Sequence, residues 1–139
     1  MNTQRRIVAA VAAAGVVGAA ARWAFTTRLD SDWALLIANV IGCGVVGWVT
    51  ARHELVRRRR PAGAGIGSVG RNDAGPSVGL TIGFCGALTS MSALALQLAG
   101  HLDTGHVATA GAWLGLTIAA CTAAFVVGRF AVLANARRP

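Results

Sequence analysis

Gly83-Phe84-Cys85-Gly86-Ala87-Leu88-Thr89-Ser90-Met91-Ser92 lies inside an otherwise apolar run from Val78 to Ala99. Two glycines, then Thr89, Ser90 and Ser92, occupy the middle of a stretch long enough to cross a bilayer. Hydrocarbon offers no water to satisfy loose backbone groups, so such an interruption belongs in a protein-lined interior. Broken helices at mid-membrane depth often turn backbone carbonyls toward an ion. The remaining segments are read as scaffolding around this break.

The chain has 139 residues, 55% hydrophobic and only 13% charged, which is the profile of a polytopic membrane protein. A helix needs about 20 apolar residues to cross ~30 Å of hydrocarbon. Four windows qualify: Ile7–Phe25, Trp33–Ala51, Ser77–Ala99 and Val107–Leu133. The expected fold is therefore an all-α, four-span single domain whose third transmembrane helix is broken. Arg5 and Arg6 ahead of an apolar run superficially fit a secretory signal, but that run is long and three more spans follow, so a retained first span is expected.

Residues 52–76, from Arg52 to Pro76, carry His53, Glu54, Arg57–Arg60 and Arg71 among several glycines and read as a flexible basic loop. No aromatic or folded element accompanies these arginines, so no nucleic-acid partner is expected; anionic lipid headgroups suit them better. With four spans, this loop and both termini share one side, which holds eleven of the thirteen arginines. The positive-inside rule then makes both termini cytoplasmic and the protein a multi-pass component of the cell membrane.

Polar residues within the spans are few. Asn39 shares a helical face with Gly42, Cys43 and Gly47, so its amide points into a protein interior. On residue chemistry alone, an interhelical hydrogen bond worth ~1 kcal/mol is the better account than a ligand-binding role. Arg22, beside Trp23, reads either as a snorkelling interfacial arginine or as a positive charge at an aqueous vestibule. Gly15 and Gly18 thin one face of span one, and Gly111 and Gly115 form a GxxxG packing face on span four. Thr117 and Cys121 share one side of span four; such hydroxyls usually bond back to their own helix, and a polar track is the sharper alternative. Cys43, Cys85 and Cys121 fall in different spans without metal or redox spacing and read as small packing residues. His101, Asp103 and His106 form a polar turn expected to be solvated. No nucleophile–base pair or metal triad appears, so no enzyme is expected.

Three stretches in this order, Gly18-Ala19-Ala20-Ala21-Arg22-Trp23, Ala38-Asn39-Val40-Ile41-Gly42 and Gly83–Ser92, resemble the Fluc fluoride channels, also called CrcB proteins. The family form of the last stretch is close to GFCGGLTTFSTF. The resemblance implies an antiparallel dimer of four-helix subunits with fluoride pores at the interface and a structural sodium ion (Na+) at its centre. It implies backbone carbonyls of Gly86 and Thr89 as the sodium ligands. Asn39, Ser90, Met91, Ser92, Leu94, Thr117 and Cys121 become pore-lining residues, and Arg22 a vestibule residue. It replaces the packing account of Asn39 with a donor role toward desolvating fluoride. Met91 and Leu94 stand where the family has two phenylalanines, whose positive ring edges can meet an anion. Gln97 stands where the family tends to have glutamate, and Cys121 is a poorer donor than a hydroxyl.

A subunit pairing with its own inverted copy must insert both ways, which demands a weak arginine bias. The bias here is strong, so the expected partner is a second, inverted homologous subunit, giving a heterodimer, with a homodimer as the alternative. Function is then expected to be passive fluoride export that lowers cytoplasmic toxicity. The alternatives are a pore-degraded structural partner subunit and a four-span exporter of organic cations. The last needs a membrane-embedded carboxylate to couple protons, and none lies well inside a span.

Overall fold

The structure, a computed structural model, describes residues 3–58 and 79–136. Among the described residues it is all-helical. Helix α1 spans Thr3–Arg28 and α2 spans Ser31–Arg58. A π-helical segment, Gly79–Cys85, tightens into one α-turn, α3, Gly86–Leu88. After the extended pair Thr89–Ser90 the chain resumes as α4, Met91–Asp103, and ends in α5, Val107–Asn135. Four helical stretches are long and apolar enough to cross a membrane, the third being Thr81–Asp103, which contains the break. The chain is a multi-pass membrane protein.

The break is where the sequence places it. A π-helix is rare beyond a single turn and often accompanies a functional site. Here it brings Gly83 against α1, where a Cβ would collide with the Val11 carbonyl and meet Ala14 Cβ at 3.0 Å. In return, a Cβ at Gly18 of α1 would strike the Phe84 carbonyl. These paired glycines let two backbones approach closely, and α1 packs chiefly on the π-segment and α3.

Helix α2 is the centre of the subunit. It supplies Ala34, Leu35, Leu36, Ala38, Val49 and Ala51 to the core. Its most extensive contact is with α5. There Gly47 faces the Phe125 backbone and Gly128 faces the Gly44 backbone, so neither position has room for a side chain. The two helices run parallel, as two spans separated by a third must. Trp33 meets Trp113 edge to face at 5.1 Å near their starts. Near their ends, Arg129 Nη2 donates to Glu54 Oε2 at 2.6 Å.

Two expectations change. Helix α2 does not stop at Ala51 but continues to Arg58, so residues 52–58 are helix rather than loop. Leaving hydrocarbon removes the apolar pattern without ending the helix, and Glu54 supports the extra turns by accepting from Arg58 four residues on and from Arg129. The rest of the expected loop, residues 59–76 with Arg59, Arg60 and Arg71, lies outside the described residues, as do Arg137 and Arg138. Secondly, Gly111 and Gly115 do not pack within the subunit: a Cβ at either would meet nothing within 4 Å. The GxxxG face of α5 points outward.

The polar turn after α4 is a Schellman cap. His106 N–H donates to the His101 carbonyl at 2.8 Å and Gly105 N–H to the Leu102 carbonyl at 2.9 Å. Gly105 takes the required left-handed conformation, φ 78°.

Candidate functional site

Helix α2 and the broken span meet at Asn39. This side chain is only 5% exposed, and its Oδ1 accepts the backbone N–H of Ser90 at 3.1 Å. The contact requires a small residue one turn further along α2. Gly42 provides it, since a Cβ there would overlap the Thr89 methyl group. The interhelical bond anticipated from residue chemistry is therefore present, and its partner is the backbone of the break itself.

That bond changes the hydrogen-bond ladder. In an uninterrupted helix Ser90 N–H would bond the Gly86 carbonyl, and Ala93 N–H the Thr89 carbonyl. Instead Ser90 N–H goes to Asn39, and Ala93 N–H goes to Ser90 Oγ at 3.2 Å in an N-cap. Thr89 N–H and Thr89 Oγ1 both donate to the Cys85 carbonyl, at 2.9 and 2.8 Å. The carbonyls of Gly86 and Thr89 thus lose their helical donors; these are the two carbonyls that the family resemblance implies as sodium ligands. Gly86 is exposed on the subunit, and a Cβ there would meet nothing within 4 Å. Its φ is not positive either. Neither packing within the subunit nor backbone conformation demands a glycine at this position. Oxygen-only carbonyl donors suit a hard cation.

The expected pore-lining residues divide into two groups. Leu94 is 4% exposed and Thr117 6%, both inside the subunit, whereas Met91 is 76% exposed on its surface. Ser90 and Ser92 lie together beside Asn39's bond, their hydroxyls 3.2 Å apart. Thr117 Oγ1 donates to the Trp113 carbonyl at 2.8 Å, the common back-bond of a membrane threonine, so its proton is already committed. Cys121, one turn on, is half-buried. All three cysteines are free, and among the described residues no group of three or more His, Cys, Asp or Glu side chains could hold a metal ion.

Arg22 lines a cavity of about 500 Å³ between α1, α2 and α4, together with Thr26, Asp32, Gln97 and His101. Gln97 Nε2 is buried there without a hydrogen-bond partner. A buried unmet amide donor costs about 1–3 kcal/mol. At the rim, His101 Nε2 and Asp32 Oδ2 lie 3.2 Å apart, joining the end of α4 to the start of α2. Sequence reasoning placed His101 in solvent; nothing in the order of residues signals a partner 69 positions away. Arg22, Gln97, Asp32 and His101 therefore share one chamber.

The family described as "CrcB-like protein, Camphor Resistance (CrcB)" matches residues 9–129. The chain is 31% identical over 118 residues to a protein of Stutzerimonas stutzeri (strain A1501) named "Fluoride-specific ion channel FluC", covering 79% of this chain and 83% of the relative. It is 32% identical over 123 residues to "Fluoride-specific ion channel FluC 2" of Synechococcus sp. (strain CC9605), covering 86% and 78%. It is 31% identical over 126 residues to "Fluoride-specific ion channel FluC 1" of Mycobacterium bovis (strain ATCC BAA-935 / AF2122/97), covering 84% and 83%.

Proposed function

The chain belongs to the CrcB family, and on that premise we propose that it is a subunit of a passive, fluoride-selective channel that lets fluoride leave the cell and so lowers its toxicity there. It is a channel component, not an enzyme. The observation that carries this reading is the Ser90–Asn39 bond. A backbone N–H can only donate, so Asn39 must present its oxygen to it, which leaves both amide N–H donors for another acceptor. An anion leaving water needs such donors along its path. Arg22 and the unmet Gln97 amide favour anion entry through the chamber they share. Thr117 joins the path once its hydroxyl turns from Trp113; Cys121, Ser90, Ser92, Met91 and Leu94 complete the wall.

The Gly86 and Thr89 carbonyls fit a sodium ion at a subunit interface: they are freed from the helix ladder, and Gly86 opens outward from its own subunit. When bound, sodium supplies positive charge that holds these carbonyl dipoles together. The described arginines Arg5, Arg6, Arg52, Arg57, Arg58 and Arg129 favour a cytoplasmic location for the end of the subunit that carries them, and so for both termini of a plasma-membrane protein. So strong a bias favours one orientation, and hence an inverted, homologous second subunit rather than a second copy of this chain. The numbered names of two relatives are in keeping with paired chains.

A second reading is favoured by Met91, Leu94 and the committed Thr117 proton. In it the subunit builds the assembly while the partner's residues carry most of the current. Fluoride efflux from liposomes decides both points. Little efflux from this chain alone and rapid efflux with an inverted homologue is the expected result; rapid efflux from the lone chain sinks the heterodimer. Efflux undiminished by Asn39→Asp in the conducting assembly removes Asn39 from the path. An organic-cation exporter finds no support in the carboxylates, because Asp32 and Glu54 lie toward helix ends and are both paired.

A further inference from the structure

At the arginine-rich end of the subunit, α2 and the last turns of α5 diverge around a groove of about 700 Å³. Trp48, Leu55, Val56 and Val132 give it an apolar wall, while Arg52 and Asn135 supply its polar groups. The Arg52 guanidinium stacks over the Trp48 ring, 5.0 Å from its centroid. This stack holds the cation at a fixed place while leaving its in-plane N–H donors open. Among the described residues Arg52 has no carboxylate partner. The one carboxylate on this stretch of α2, Glu54, is taken by Arg58 and Arg129.

We infer that this groove is a binding site for one anionic phospholipid, phosphatidylglycerol. Arg52 takes the phosphate, the ring of Trp48 and the aliphatic wall take the upper acyl chain, and Asn135 with the outward carbonyls at the end of α5 accepts from the glycerol hydroxyls. Three features select this occupant. Among the described residues the polar end carries uncompensated positive charge. The wall below it is apolar and open to the side. The acceptors beside the cation suit a headgroup with hydroxyl donors. Tryptophan and arginine are both side chains favoured where hydrocarbon meets headgroup. Retention of this lipid would tie the end of α2 to that of α5, where among the described residues only the Glu54–Arg129 pair does so through side-chain charge.

The test uses the full-length chain purified in detergent, mixed in turn with phosphatidylglycerol, phosphatidylethanolamine and phosphatidylcholine, and read by native mass spectrometry. One arginine near a surface is worth about 1 kcal/mol toward an anionic lipid, or about fivefold. Wild-type protein should therefore retain phosphatidylglycerol about fivefold over the other two. Arg52→Gln, an exposed change checked for intact folding by gel filtration, should erase that preference, and Arg52→Lys should keep part of it. The double variant Arg57→Gln/Arg58→Gln should leave it in place. Brominated phosphatidylglycerol should quench tryptophan emission less in Trp48→Phe than in wild type. A preference that survives Arg52→Gln, or that vanishes only with Arg57 and Arg58, overturns the site. So does equal retention of phosphatidylethanolamine, or displacement of the lipid by millimolar inorganic phosphate, which would mark a free-anion site instead.

Discussion

Two sets of glycines in this subunit look alike in the sequence and behave in opposite ways. Gly18, Gly42, Gly47, Gly83 and Gly128 form an inner seam where a Cβ at each would collide with backbone or with the Thr89 methyl group. Gly86, Gly111 and Gly115 form an outer set around which a Cβ would meet nothing within 4 Å. The inner seam fits α1 and α2 against the break and α2 against α5. The outer set leaves backbone bare on the subunit surface, where Met91 too is 76% exposed. Small residues in membrane helices permit close approach, so under the proposed assembly the outer set offers room for a second subunit. The inner set, by contrast, serves the fold of the single chain.

The largest effect should come from filling the inner seam. Gly47→Leu drives a side chain into the Phe125 backbone and should cost about 3 kcal/mol or more, seen as loss of monodisperse protein. A well-folded Gly47→Leu subunit would erase the distinction between the two sets. Gly115→Leu should do the reverse: the subunit keeps its thermal stability, while cross-linking detects far less assembly. Equal destabilisation by both changes would show that the outer face is packed within the chain after all.

Asn39 links the seam to the break, and its two roles separate by substitution. Asn39→Ala strands the Ser90 N–H in a buried place and should cost about 2 kcal/mol of stability. Asn39→Asp keeps the acceptor for Ser90 but replaces the amide donors with negative charge, so stability should fall less while fluoride efflux falls more. Parallel losses in melting and efflux assays would mean that Asn39 acts on the fold alone. Smaller still, Ser90→Ala removes an N-cap and should cost about 1 kcal/mol in thermal melts. The smallest change is expected for Glu54→Gln, where a largely surface ion pair is worth about 0.5 kcal/mol.

Much of this was legible because hydrocarbon imposes simple rules. Four apolar windows, a polar interruption in the third and an asparagine on a glycine stripe each have one low-cost arrangement in a bilayer. The break could be anticipated because Gly-rich sequence followed by Thr-Ser cannot continue a lipid-facing helix comfortably; the two carbonyls came only from the family resemblance. The end of α2 was less legible, since the same arginines suit a solvated helix or a solvated loop. The Gly111–Gly115 face was legible only as a packing face, because GxxxG spacing reports only that a helix face is thin. It does not say whether the neighbour belongs to the same chain.

The sequence by itself determined the number of spans, the site of the interruption, the charge asymmetry and the family resemblance, since all four are written in local composition and order. Only the tertiary structure decided which donor leaves the helix ladder and which carbonyls it strands. It also decided that Arg22 and Gln97 share a groove with Asp32 and His101, and that one glycine set packs within the chain while the other does not. Those choices depend on how helices rotate and slide against each other. That rotation is set by the close approaches that Gly18, Gly42 and Gly47 permit, between residues far apart in the chain.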